Sequence, residues 1–250
     1  MMETNQDVPP LGFIALDIHF SRPPGDAWNA RTWPFPLIQI QAEGSTADQV
    51  VTSGMYDDAF IERFVQAGLK LADRGCVGII TSCGFLAMAQ PQLAARLPIP
   101  IATSSLLQLN SILPFLSPDK TVGILTYDSA RLGNTHLAHV GLSPDQVRRT
   151  HIKGPPASGH LRRLIEKSSP YSYAAIEAEL VGTATELTQE YPDIGAILLE
   201  CTQMPPFATA IQRAVQLPVY DVYTMGCWFY SGLARKRPVT WGPRTESVPN

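Results

Sequence analysis

Gly78-Ile-Ile-Thr-Ser-Cys-Gly84 and, further along the chain, Ala196-Ile-Leu-Leu-Glu-Cys-Thr202 share one plan: a short apolar run that closes on a cysteine and a small residue. A short apolar run bounded by chain-breaking residues reads as a buried strand. Each cysteine therefore stands where a strand gives way to the next helix. Working outward, the flanking sequence repeats as well. Gly12-Phe-Ile-Ala-Leu-Asp17 is echoed by Gly123-Ile-Leu-Thr-Tyr-Asp128, each a glycine-led apolar strand ending in Asp. A second strand closes at Gly44 in one half and at Gly154 in the other, and a long helix precedes each cysteine strand. A further strand in each half is announced by Leu-Pro, in Leu97-Pro-Ile-Pro-Ile-Ala and Leu217-Pro-Val-Tyr-Asp-Val. Landmarks recurring in the same order are the mark of a duplicated unit.

Strands are expected over residues 11–16, 37–41, 77–81, 99–103, 122–126, 147–152, 194–199 and 219–222. Between them, Phe60, Phe64, Gly68 and Leu71 recur at helical spacing, as do Ile176, Leu180, Ala184 and Leu187. Strand alternating with helix predicts an α/β fold of parallel sheets flanked by helices. The duplication makes it two similar lobes related by a pseudo-two-fold axis, with the site in the cleft between them. Residues 1–116 are expected to form the first lobe, completed by 217–250, and 117–216 the second, with a helix over 224–236 and a poorly ordered strand or arm over 240–250.

The 250 residues are 45% hydrophobic, enough for lobes that each hold a core. A formal charge of −3 and no dense Lys/Arg block argue against nucleic acid or an anionic membrane as partner. The N-terminal residues are polar, without the basic-then-apolar order of an export signal, and no apolar run is long enough to span a bilayer. A cytoplasmic protein is the expectation, with its cysteines reduced. No CxxC pair and no Gly-rich phosphate loop is present, and His136 and His139, although at helical spacing, have no further ligand at a motif distance. Neither metal nor nucleotide is expected.

Ligands of parallel α/β sheets bind at the carboxyl ends of the strands. There, helix N-termini offer unpaired N–H groups that favour carboxylates and thiolates. Cys83 and Cys201 are thus the candidate catalytic pair, one on each face of a substrate held between lobes. A thiolate on one face and a thiol on the other can remove and return a proton at a carbon next to a carboxylate, exchanging roles at each turnover. Ser82, Gly84, Phe85 and Thr202 adjoin them as candidate substrate contacts. Cys76 and Cys227 have no symmetry-related partners and read as small buried hydrophobes.

These residues resemble the aspartate/glutamate/hydantoin racemase superfamily, the more specific match being Leu199-Glu-Cys-Thr-Gln-Met-Pro205 and the looser one Thr81-Ser-Cys-Gly84. The resemblance implies cofactor-independent racemisation or epimerisation of an amino acid or related carboxylic acid, without pyridoxal phosphate or metal. Decarboxylation, dicarboxylate cis-trans isomerisation or a non-catalytic metabolite sensor are the alternatives. It also implies that Asp17 supports the first thiol and that Thr126 and Tyr127 lie near the substrate carboxylate. Gln203 stands where relatives commonly carry His or Glu, so the two faces are expected to differ. The proline-rich stretch from Arg22 to Pro36 reads as a stiff lid, with Trp28, Trp33 and Phe35 either anchoring it or shaping an apolar pocket, anchoring being preferred. Arg22 reads as a solvated loop residue or a carboxylate ligand. A homodimer is expected.

Overall fold

The computed structural model describes residues 8–236 and 240; the expected arm over 240–250 lies outside these but for its first residue. Two four-stranded parallel sheets carry the fold. In chain order the strands are β1 (Leu11–Leu16), β2 (Leu37–Ala42), β3 (Ile79–Thr81), β4 (Ile101–Ala102), β5 (Thr121–Leu125), β6 (Thr150–Lys153), β7 (Ile194–Leu199) and β8 (Val219–Tyr220). The first sheet runs β2-β1-β3-β4 and the second β6-β5-β7-β8, the same order twice. The duplication read from the landmarks is therefore one of topology.

Helices cover both sheets, which is why β1, β3 and β5 are buried along their whole length. Asp57 caps the helix Asp58–Asp73 by accepting the Phe60 N–H at 2.7 Å. That helix lays Phe60, Phe64, Gly68 and Leu71 against the first sheet, and Tyr173–Glu190 lays Ile176, Leu180, Ala184 and Leu187 against the second. The glycine that opens each half has one purpose in both lobes. A Cβ on Gly12 would stand 2.9 Å from Leu71, and one on Gly123 would stand 3.0 Å from Leu187, so a bare backbone lets the covering helix approach.

Two expectations change. The strand expected over 147–152 begins only at Thr150, because Ser143-Pro144 starts a helical turn, Pro144–Val147, with the Ser143 hydroxyl accepting the Gln146 N–H. The tail assigned to the first lobe divides. Val219–Tyr220 pairs with β7 in the second sheet, and Asp221 then caps a helix, Val222–Leu233, that packs on the first lobe. One continuous core runs through both lobes. No helix among the described residues is long and apolar enough to cross a membrane.

Candidate active site

The carboxyl ends of β1, β3, β5 and β7 meet between the lobes and enclose a cleft of ≈ 430 Å³, its open mouth included. Both Cys83 and Cys201 line it, as do Ser82, Gly84, Phe85, Tyr127, Thr202 and Gln203. Leu16, Ile18, Phe20, Val50, Val51 and Ile165 make the remaining wall largely apolar. Cys83 keeps partial exposure, whereas Cys201 is buried.

Three hydrogen bonds join the lobes around the thiols. The Thr202 hydroxyl donates to the Ser82 carbonyl at 2.5 Å, the Ser105 hydroxyl to the Leu199 carbonyl at 2.8 Å, and the Ala27 N–H to the Thr202 carbonyl at 3.2 Å. Within the first lobe, the Leu16 N–H donates to the Ser82 hydroxyl at 2.9 Å, fixing the loop on which Cys83 sits.

The two thiols have different surroundings. Burial pushes the Cys83 thiol up, the Glu200 carboxylate pushes it further, and the Phe85 and Leu86 N–H groups and the Arg22 charge oppose both. Cys201 is also held well above the usual thiol range, first by burial and then by Glu200, with the Gln203 N–H opposing. In addition the Cys201 thiol donates to Gln203 Oε1 at 3.1 Å. The Gln203 amide is fixed in that orientation because its Nε2 donates to the Thr202 hydroxyl at 2.9 Å. An amide oxygen accepts a hydrogen bond but takes no proton, so this arrangement keeps Cys201 protonated. Among the described residues Cys83 has no such acceptor; backbone N–H groups at the start of the 3₁₀ turn Gly84–Ala89 pull its thiol down, against the larger upward push of burial and Glu200.

Two of the residues read from the sequence lie apart from the cleft wall. Asp17 does not reach Cys83: its carboxylate accepts the Gly44 N–H at 3.2 Å and faces His19 at 3.6 Å, turned out by the end of β1. Thr126 is buried behind the wall, where its hydroxyl donates to Glu200 Oε2 at 2.7 Å. Tyr127 does face the cleft, and its hydroxyl is engaged in donating to Glu166 Oε1 at 2.8 Å. His136 packs edge-on against Phe85, ring centroids 5.2 Å apart. Among the described residues there is no cluster of three His, Cys, Asp or Glu side chains that could hold a metal.

Of the two charged residues in the cleft, the sequence offered Arg22 only as one of two readings and did not single out Glu200. Glu200 is 1% exposed, and burial raises its carboxyl to about 7 against the opposing Thr126 and Tyr127 donors. Its signal was a single acidic residue at the end of the six-residue apolar run Ile194–Leu199. Arg22 is no solvated loop residue. Its side chain is 10% exposed, stacks on Phe20 with its guanidinium carbon 3.9 Å from the ring centre, and meets the buried Asp26 at 3.4 Å. The Arg22–Pro36 stretch holds Arg22 in place. Trp33 donates through Nε1 to the Ala27 carbonyl at 2.8 Å and stacks on Phe35, which stacks in turn on Tyr230 of the last helix. Trp28 meets Phe13 edge-on. The loop aromatics anchor a strap, and none of the three lines the cleft.

The two-lobe arrangement is the fold of arylmalonate decarboxylase and of several racemases. Unliganded arylmalonate decarboxylase superposes with a TM-score of 0.57 at 18% identity over 92% of this chain and 94% of its own. An aspartate racemase homologue from Pyrococcus horikoshii gives 0.56 at 14% over 91% and 100%, and allantoin racemase from Pseudomonas fluorescens 0.53 at 15% over 96% and 100%. By sequence, the chain is similar to dimethylsulfoniopropionate lyase from Durusdinium sp. clade D, 28% identical over 89% of this chain and 74% of that protein. Dimethylsulfoniopropionate lyase 5 of Emiliania huxleyi is 27% identical over 87% of this chain and 44% of its own length, and lyase 3 is 26% identical over 87% and 58%. The chain thus spans about half to three quarters of these relatives. No family model matches it.

Proposed function

We propose that this chain is a lyase that removes a proton from the carbon next to a carboxylate with a cysteine thiolate and expels a neutral thioether from the neighbouring carbon. The observation that carries the reading is that the relatives matched over 87–91% of the chain are named dimethylsulfoniopropionate lyases. The cleft has the parts for it. Arg22, with one guanidinium nitrogen turned to Asp26, keeps further N–H groups for a substrate carboxylate. Cys83, which keeps partial exposure and among the described residues has no amide oxygen holding its thiol as Gln203 holds that of Cys201, serves as base.

The step balances without a redox partner. The Cys83 thiolate takes the α proton, the C–H pair forms the new C=C bond, and the C–S pair leaves with sulfur as a neutral thioether. The unsaturated carboxylate remains, and the thiol returns its proton to water. A sulfonium leaving group needs no acid, so one cysteine suffices and the protonated state of Cys201 is no obstacle. Incubation with dimethylsulfoniopropionate, with dimethyl sulfide read by gas chromatography, tests the proposal. Release abolished by Cys83→Ser supports it, and no release from the intact chain refutes it.

A second reading, racemisation or epimerisation, is favoured by one observation: both thiols line the same cleft. It requires Cys201 to deliver a proton to the face opposite Cys83. Deuterium uptake at Cα in heavy water with inversion, lost in either cysteine variant, would establish it. Homodimerisation is proposed alongside, to be read by sedimentation equilibrium.

A further inference from the structure

The cleft that both thiols line also holds one carboxyl group whose surroundings the elimination chemistry above does not use. Glu200 comes from the end of β7 in the second lobe, and Arg22 from the strap of the first. Oε2 of Glu200 is satisfied by the Thr126 hydroxyl at 2.7 Å and the Tyr127 N–H at 3.4 Å. Among the described residues, Oε1 receives no hydrogen bond and no Lys, Arg or His pairs with the group. Space for Oε1 is made by Gly84, since any Cβ there would press into this oxygen and stand 2.5 Å from the Glu200 backbone carbonyl.

We propose that Oε1 of Glu200 receives the positively charged head group of the substrate, so that the cleft selects a zwitterion with a carboxylate at one end and an alkylated onium group at the other. The inference deepens the lyase reading and rests on it. A buried carboxylate without a cation is costly, and an arriving cation removes that cost. The form of the cation follows from the wall. Phe85, Val50, Val51 and Ile165 offer methyl groups contact and no side-chain acceptors, which suits a sulfonium or quaternary ammonium and leaves the N–H groups of a primary ammonium unpaired. A dicarboxylate would set its second charge in a cleft whose only lining cation among the described residues is Arg22, already facing Asp26. An onium beside Glu200 also offsets the charge that raises the Cys83 thiol, so the substrate prepares its own base.

Two ligands of one shape isolate this charge: 3-(trimethylammonio)propanoate and 4,4-dimethylpentanoate, which differ only in N⁺ against C. Titration calorimetry near pH 8, above the Glu200 midpoint, is expected to show the onium bound at least about tenfold more tightly by the intact chain. In Glu200→Gln the two affinities should come within about twofold of each other, the neutral acid binding as before and so reporting an intact cleft. Equal affinities in the intact chain overturn the proposal without any variant, and so does a preference that survives Glu200→Gln. Because both ligands are read by binding, an onium preference without dimethyl sulfide release would refute the lyase reading and leave the cation site standing.

Discussion

Cys83 and Cys201 occupy equivalent places in the two halves and differ in what their sulfurs meet. The Cys201 thiol donates a hydrogen bond to a fixed amide oxygen, whereas Cys83 has no such acceptor among the described residues and keeps partial exposure. Cys83→Ser is therefore expected to lower turnover by about 10²-fold or more, and Cys201→Ser by less. Steady-state kinetics of the two variants separates them, and the reverse order would move the base to Cys201. Glu200 adds a pH dependence to stability. Its carboxyl rises from the ordinary 4.5 to about 7 in the folded chain. Between those values the native state holds a proton that the unfolded chain has released. The stabilisation is complete below about pH 4.5 and is lost as the pH climbs through about 7, a change on the order of 3 kcal/mol. Glu200→Gln should remove that slope, which denaturant unfolding of both proteins at several pH values will show.

At the scale of elements, strap and cysteine loops are locked together. Trp33, 6% exposed, ties the strap to the last helix through Phe35 and Tyr223. Trp33→Ala is expected to cost about 3–5 kcal/mol in unfolding measurements. By loosening the segment that presents Arg22, it should also raise KM more than it lowers kcat. Gly84→Ala should displace the Glu200 carboxylate, seen as loss of the onium preference. Strand positions were legible where apolar runs were long: β1 and β7 fall where the sequence places them, because burial on both faces leaves no ambiguity. The thiols were legible for the same reason, each following such a run. Arg22 and Glu200 were not. An arginine in a proline-rich loop looks solvated until the loop is seen anchored at Trp33. A glutamate beside a cysteine looks like a strand end until Thr126 and Tyr127 are found to hold it. Asp17 misled in the opposite sense, since a strand-terminal Asp matches the family's pattern while its side chain turns to Gly44.

The whole molecule is two equal sheets sharing one core, with hydrogen bonds crossing the cleft at Thr202 and Ser105. Lobes so joined should unfold together. Calorimetry is expected to give a single transition whose calorimetric and van't Hoff enthalpies agree, and two resolved transitions would show that the lobes are independent. The same joining brings Arg22 of one lobe and Glu200 of the other into one cleft with Cys83, as the proposed binding of a zwitterion requires. The most direct measurement is dimethyl sulfide release from dimethylsulfoniopropionate by the intact chain and by Cys83→Ser. Release with equimolar unsaturated acid is expected from the first, and release lower by about 10²-fold or more from the second. Absence of release by the intact chain, or undiminished release by the variant, would contradict the lyase reading.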